Sequence, residues 1–599
     1  MKRKIVIIGS IILLVCFSTA SFVRHNIVSA SNHSRYDTGT LDSESPFIST
    51  ELLVKFTRDA SVSFASSGDS IHSGVSSIDS LIDEFFIQKV ERTFPYESIN
   101  QKNKELFAAI GLERIYTLQI GGMVDILSAV AAFEKNRFVE YAEPNFIGHA
   151  HAIPNDPMFT TQWGLHNDGT NPPAHPGTAD ADIDAPEAWD IETGASNVIV
   201  AMLDTGIDWD HPDLSARIWS NGDETANGID DDGNGYVDDI RGWDFANNDN
   251  NPMDDHGHGT VNAGIVGAST NNGLGVAGVD WHCKLMAVKV LDKNNWGLYS
   301  WWASGLQYAA DNGAKIISMS MGGTSSSDTL KDAIDYAYGL NCVIVVSMGN
   351  DNSNTIYYPA AYANVIAVGA TDTDDTRCVP PDWQPFGMQT GGSNYGNHID
   401  VVAPGNWINS TAWNNVYQYW AGTSMAAPFV SGLAALLLAK EPSLTNADVQ
   451  QIICTTAEDQ VGNPAEDTAG WDKYYGFGRI NTYNALMYLT EPRLDIESIE
   501  GGEKITAILN NTGYATATAI QWNITITGGF FVIPREDSGT VASLSKGESI
   551  ECSMSVFGIG LGLLFPQPMI TISATCAEGV TVEESVEATI LFNRVTLLL

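Results

Sequence analysis

The chain has 599 residues, room for about four domains at roughly 150 residues each, and its 72 acidic against 30 basic side chains give a net charge of −42. That balance excludes a nucleic-acid binder working by phosphate neutralisation, which needs a basic face. With 44% hydrophobic residues and 15 tryptophans the chain is not disordered overall and can fill large cores.

Residues 1–20 read as a secretory signal. Lys2, Arg3 and Lys4 form its basic start, Ile5–Phe17 is apolar but short for a bilayer span, and Ser18 and Ala20 are small residues that fit cleavage after Ala20. An uncleaved anchor is the alternative. The expected location is secreted or extracellular, with association with the cell surface left open. No span is expected in the mature chain, because the apolar run Val556–Phe565 is interrupted by glycines and stops at Pro566 and Pro568. Removing the signal leaves Cys283, Cys342, Cys378, Cys454, Cys552 and Cys576. Cys552 and Cys576 share one β-rich region and are the expected bridge. Buried thiols or bridges remain open for the other four.

Residues 21–50 are Ser- and Thr-rich and read as a flexible lead. Residues 51–146 mix strand-like runs (Glu51–Phe56, Ile115–Ile120) with helical ones (Ile78–Lys89, Val124–Lys135), a small α/β unit. From 155 to 490 short β-branched runs alternate with helical patterns. The runs Val198–Leu203, Leu285–Val290, Ile316–Met319, Val343–Ser347 and Val365–Val368 read as strands buried on both faces. Helical patterns fall at Ser300–Asp311, Ser326–Tyr338 and Ser424–Lys440. This alternation predicts an α/β fold with a doubly wound parallel sheet, whose active site would gather at the carboxyl ends of the strands. Beyond 491 the runs Ile505–Leu509, Ala519–Thr527, Glu548–Phe557 and Met569–Ala574 predict an all-β sandwich.

Three segments place reactive side chains at element ends. Asp204 closes a strand before Thr205-Gly206. His258 opens a helix in Gly257-His258-Gly259-Thr260. Ser424 opens the most apolar helix in Gly422-Thr423-Ser424-Met425-Ala426-Ala427-Pro428. Singly these are a turn former, a structural histidine and an N-cap. Together they supply what serine attack on a carbonyl needs: a hydroxyl, a base and a carboxylate that orients the base. A serine at a helix N-terminus also offers its N–H to a developing oxyanion, and Asn350 in Met348-Gly349-Asn350, after a strand, can add a side-chain amide.

In these segments, and in the order Asp, His, Ser, the sequence resembles the subtilisin-like serine proteases, the subtilases, over about residues 155–490. The resemblance implies that Asp204 orients His258, that His258 is the general base and then acid, that Ser424 is the nucleophile and that Asn350 binds the oxyanion. It also implies that Ser318-Met319-Ser320-Met321-Gly322-Gly323 pairs with extended substrate, so that Ser320, Met321, Gly322, Met348, Gly349 and Tyr357 contact it. Three departures stand out. Val261-Asn262 occupy the place where the family usually has His-Val, Ala421 stands where Asn is common, and His256 adds a second imidazole. Residues 51–152 resemble the inhibitory propeptides of the family, with Val139-Glu140-Tyr141-Ala142-Glu143-Pro144-Asn145 as the tail and a cut near 147–154.

Acidic loops point to calcium. Asp230, Asp232, Asn234, Asp238 and Asp239 in Asp230–Asp239 set oxygen donors at alternate positions around Gly233 and Gly235, similar to the first half of an EF-hand loop, although Arg241 replaces its closing Glu. By resemblance to the family, Asp156, Asp213 and Asn272 form a second site, and Asp244 and Asp249 a third. The domains are thus a signal peptide (1–20), a lead and inhibitory propeptide (21–152), a catalytic domain (153–490) and an Ig-like β-sandwich (491–599). The reading is a secreted, calcium-stabilised serine endopeptidase made as a self-processing zymogen. It acts on polypeptides, is inhibited by its own propeptide, binds no nucleic acid and is a monomer. The alternative is a catalytically silent surface or adhesion protein that binds through its β-domain.

Overall fold

The computed structural model describes residues 47–598, apart from residues 61, 68–69, 95–102, 122–125, 147–151, 173–174, 381–390 and 562–565. The signal and most of the lead therefore lie outside the described residues. The chain divides into two compact units, Met1–His149 and Ala150–Leu599.

In the first unit, alternation along the strand Phe47–Phe56 turns Leu52, Val54 and Phe56 inward, all fully buried. This strand pairs antiparallel with Ile115–Ile120 and Val139–Phe146, and Ile87–Arg92 completes a four-stranded sheet. Helices Ser76–Glu84 and Ile126–Glu134 contribute Ile78, Ile82, Ile126, Ala129 and Phe133 to the same core. The helix expected over Ile78–Lys89 stops at Glu84. Phe85 and Phe86 turn the chain, Phe86 with φ +50°, and the remainder becomes the strand Ile87–Arg92.

The second unit holds the doubly wound sheet. Seven parallel strands lie in the spatial order Val401–Pro404, Ile366–Thr371, Val343–Ser347, Ile316–Met319, Ile199–Asp204, Lys284–Lys289 and Gly242–Asp244. Alternate residues feed two cores. Val200 and Met202 face one, and Ala201 and Leu203 face the other. Strand order reverses between Ile199–Asp204 and Ile316–Met319, which opens a crevice at their carboxyl ends. The sequence reading missed the strands Gly242–Asp244 and Val401–Pro404, which are too short to show a period.

The helix Thr423–Lys440 is buried from Thr423 to Leu438. Its length and apolarity would suit a membrane, but 83% of its most apolar stretch is packed inside the fold, so it is a core helix. Beyond it, the buried guanidinium of Arg479 bonds Asp375 at 2.5 Å and also pairs with Glu458.

The C-terminal region is a sandwich. A sheet of Leu494–Glu500, Ile505–Asn511 and Ser549–Met554 faces a larger sheet that includes Ala517–Thr527, Glu536–Leu544, Met569–Thr575 and Thr581–Phe592. Ile505, Leu509, Ile524, Ile570, Ile572 and Ile590 fill the space between them. The expected run Glu548–Phe557 splits into Ser549–Met554 and Phe557–Gly560, which belong to different sheets. The expected Cys552–Cys576 bridge is not formed. Both thiols are free and buried in the sandwich, where each behaves as a small apolar filler.

Replacing Arg479 by Ala strands Asp375 and Glu458 without their cation. The expected cost is about 3–5 kcal/mol, read as a lower denaturant midpoint; an unchanged midpoint would show that the pair contributes no net stability.

Candidate active site

Asp204 ends its strand at the crevice, and the chain leaves through Gly206, whose φ of +104° suits glycine. A Cβ there would lie 2.5 Å from the carbonyl oxygen of Pro252, so glycine also permits the close approach of that loop. His258 opens the helix His258–Gly267. The loop before it is gathered by Asp254, a residue the sequence reading did not single out. Asp254 Oδ1 accepts from the N–H groups of His256 (2.9 Å) and Gly257 (2.8 Å) and from Thr205 Oγ1 (2.8 Å). Its Oδ2 accepts from the N–H (2.9 Å) and Oγ1 (2.5 Å) of Thr260. One buried carboxylate thus satisfies the open N–H groups at a helix start and ties it to the end of the Asp204 strand.

The tie sets the central contact. His258 Nδ1 lies 2.7 Å from Asp204 Oδ1, and both side chains are buried. Asp204 Oδ1 also accepts from the Thr205 N–H at 2.7 Å, and Oδ2 from Asn262 Nδ2 at 2.8 Å. Burial pulls the His258 pKa down, but the charge and hydrogen bond of Asp204, with the charge of Asp254 behind them, outweigh it and leave the pKa raised. The extra imidazole of His256 is shifted the other way, by burial and then by the neighbouring His258.

Across the crevice, Ser424 stands in the first turn of Thr423–Lys440. Pro428, four residues on, has no N–H to give to the carbonyl of Ser424. Ser320 Oγ supplies the missing donor at 2.7 Å, which fixes the backbone of Ser424. The hydroxyl of Ser424 points to the carbonyl oxygen of Ser320, at 3.3 Å, rather than to His258. Such contacts commonly close only when substrate is bound.

Asn350 is oriented by Thr423, whose N–H (2.9 Å) and Oγ1 (2.8 Å) both donate to its Oδ1. That leaves the amide Nδ2 as the end facing the crevice. A Cβ built on Gly422 would lie 3.4 Å from Asn350 Nδ2 and 3.5 Å from the Ser424 nitrogen. The two donors therefore converge on one space, which glycine keeps empty and which an oxyanion could occupy.

His258, Ser424 and Asn350 line one cleft of about 480 Å³, together with Ser320, Met321, Gly322, Gly349 and Tyr357. Met348 departs from expectation. Its side chain is fully buried in the sheet core; its carbonyl accepts from Asn394 Nδ2 at 3.1 Å and its N–H donates to the Val368 carbonyl at 3.0 Å. Tyr357 donates to Asp351 at 2.5 Å, and this bond, then burial, pushes its pKa up to about 12. The sequence reading missed Trp296, an exposed wall of the same cleft.

Of the acidic residues, Asp232 and Asp239 converge with Glu224, their carboxylate oxygens within 4.8 Å of one another. Glu224 and Asp239 are buried, and Tyr308 donates to Asp239 at 2.5 Å. Asn234 Nδ2 bonds both Asp232 and Asp239. Asp230 and Asp238 do not join this group. Asp230 accepts backbone N–H groups of Gly233, Asn234 and Gly235, and Asp238 those of Asn227 and Gly228. Elsewhere, buried Asp156 accepts from the Asn271 and Asn272 N–H groups, while Asp213 accepts from Asn272 Nδ2, the Val276 N–H and the Tyr417 hydroxyl. Asp244 is held by Asn247 through both oxygens, and Asp249 accepts the Asn251 N–H.

Comparison with known proteins agrees with this geometry. The profile of the Subtilase family matches residues 195–478. A thermophilic serine proteinase of Bacillus sp. strain AK1 is 38% identical over 365 residues, covering 61% of this chain and 77% of that protein. Thermitase of Thermoactinomyces vulgaris is 36% identical over 336 residues, 56% of this chain and 99% of thermitase. A cell wall-associated protease of Bacillus subtilis strain 168 is 33% identical over 380 residues, 60% of this chain and 38% of that protein. The chain therefore belongs to the subtilase family and is a subtilisin-like serine endopeptidase.

Proposed function

We propose that Ser424 is the nucleophile of this endopeptidase, with His258 as its base, Asp204 as the orienting carboxylate and Asn350 as an oxyanion donor. The observation that carries the reading is the 2.7 Å contact of His258 with Asp204 at the head of the cleft that Ser424 and Asn350 line. Rotation of the Ser424 hydroxyl away from Ser320 lets His258 take its proton as the oxygen attacks the scissile carbonyl. The developing oxyanion enters the space beside Gly422, between Asn350 Nδ2 and the Ser424 N–H. His258 then protonates the leaving amine, and water, activated by the same imidazole, releases the acyl group. Ser320, Met321 and Gly322 continue from the strand Ile316–Met319 along the cleft, so an extended polypeptide can add to them by backbone pairing. Substrates would be unfolded or looped chains.

The enzyme is secreted as a zymogen, a reading supported by the basic-then-apolar start of the sequence, by the separate N-terminal unit and by the name of the cell wall-associated relative. The N-terminal unit acts as the inhibitor and is released by a cut within 147–154, of which 147–151 lie outside the described residues. The test is expression of wild type beside Ser424→Ala. Wild type should mature to a product beginning within 147–154, hydrolyse casein and be labelled by a fluorophosphonate. Ser424→Ala should stay uncut, inactive and unlabelled, and activity in that variant would sink the assignment.

The raised His258 pKa has a signed consequence. Only the neutral imidazole can accept the serine proton, so kcat/KM should rise with pH through an apparent pKa above the ordinary histidine value of about 6.5. An acid limb below that value in the pH profile would contradict the balance of charge and burial derived for this site.

Calcium is held by Glu224, Asp232 and Asp239, whose hard oxygens and clustered negative charge suit that ion. Asp156 with Asp213 is a second candidate pair. Bound calcium clamps surface loops and takes no part in the chemistry. Calcium at 100 times its Kd would add about 2.7 kcal/mol of stability. Chelator should therefore lower the Tm, and Asp239→Asn should shrink that shift; a melting curve unaffected by chelator would remove calcium from the account.

A further inference from the structure

Asn262 lies one helical turn beyond His258 and so shares its face of the helix His258–Gly267. It is fully buried, between the buried apolar neighbours Val261 and Ala263. It is also one of the positions where this chain departs from the motif of its family. Its Oδ1 has no hydrogen-bond partner among the described residues. An unsatisfied buried acceptor is destabilising, so packing alone would favour an apolar side chain here. Its Nδ2, in contrast, donates to Asp204 Oδ2 at 2.8 Å and lies 3.4 Å from His258 Nδ1. Flipping the amide would set an oxygen against the carboxylate, so its orientation is fixed by charge.

We propose that Asn262 is a positioning residue of the protease: by donating to the outer oxygen of Asp204 it locks the rotation of that carboxylate and weakens its hold on the imidazolium form of His258. The inference rests on Asp204, His258 and Ser424 acting as proposed above. The Thr205 N–H and His258 Nδ1 both engage Oδ1, which alone would leave the carboxylate free to swing about that oxygen. Asn262 supplies the second point. Electrostatically it counters two carboxylates. His258 feels Asp204 and, from the preceding loop, Asp254, both of which favour its charged form. His256 faces it from the same loop, Asp255 is paired with Lys289 at 2.6 Å, and the ring of Trp420, at the end of the strand Val416–Trp420 that pairs with Ile408–Ala412, covers it at 6.1 Å. The amide adds no net charge, yet its N–H end stabilises the carboxylate and opposes a proton on the imidazole. Both effects keep His258 available as a base at lower pH.

The test is the pH dependence of kcat/KM on a peptide anilide for Asn262→Cys and Asn262→Val in the full chain. Cysteine is close to asparagine in size and only a weak donor, so it remains usable where valine disturbs folding. With the donor gone, the acid limb should move up by about half a unit to one unit, the share of a charged hydrogen bond that reaches the imidazole. Plateau kcat should fall by roughly 3- to 10-fold with KM nearly unchanged, as positioning in the transition state is lost. A purely structural role would lower the melting temperature and leave the acid limb where it is. An acid limb that coincides with wild type in both folded variants, with His258→Ala inactive, overturns the role of Asn262 alone. A His258→Ala variant that keeps wild-type turnover overturns the reading of the site itself.

Discussion

The structure depends on a buried carboxylate held against a buried imidazole. In water such a pair is weak and mobile. Inside the fold its attraction is stronger, but so is the cost of any misplacement. The chain meets that cost with backbone. Asp204 is anchored by the end of a central strand, His258 by the start of a helix, and Asp254 bonds the helix start and Thr205 at once. Neither side chain is held by a flexible surface loop, so its geometry comes from the same sheet and cores that stabilise the domain.

The serine side of the cleft follows the same logic with different groups. A helix N-terminus leaves N–H groups open, and here one of them, from Ser424, borders the space beside Gly422 proposed for the oxyanion. Pro428, one turn on, leaves the Ser424 carbonyl open, and Ser320 closes it, so the helix interruption brings a cleft residue into register with Ser424. Gly422 contributes by having no side chain, and Thr423 turns the Asn350 amide the right way round. The proposed oxyanion site is thus made by a turn, a proline and a rotamer, none of which changes charge during the reaction.

Much of this was legible in the sequence, and the parts that were not share a cause. Asp204, His258 and Ser424 were visible because each sits in a run of glycines and small residues at an element end. The long buried strands were visible as apolar runs. Gly242–Asp244 and Val401–Pro404 were not, because three or four residues carry no period. Asp254 and Glu224 were hidden because their partners are mostly backbone N–H groups, which no side-chain pattern announces. Met348 was misplaced because a residue beside an oxyanion segment can point either way, and the parity of the strand before it sends the side chain inward. The two sandwich cysteines were paired on shared location, although proximity in a β-rich region sets neither the distance nor the direction of their Cβ atoms.

Several positions that break local rules lie where the chemistry is proposed. Glycines at positive φ precede both His258 and Ser424, a proline sits inside the helix of Ser424, and the helix of His258 carries an amide whose oxygen has no partner among the described residues. The sandwich cores, by comparison, are built from alternating isoleucines and leucines that obey the rules of their strands. A sequence selected for stability alone would remove these features first. Their presence at this cleft follows if each sets an atom of the reaction: the glycines a close approach, the proline a free carbonyl, and Asn262 the angle of a carboxylate.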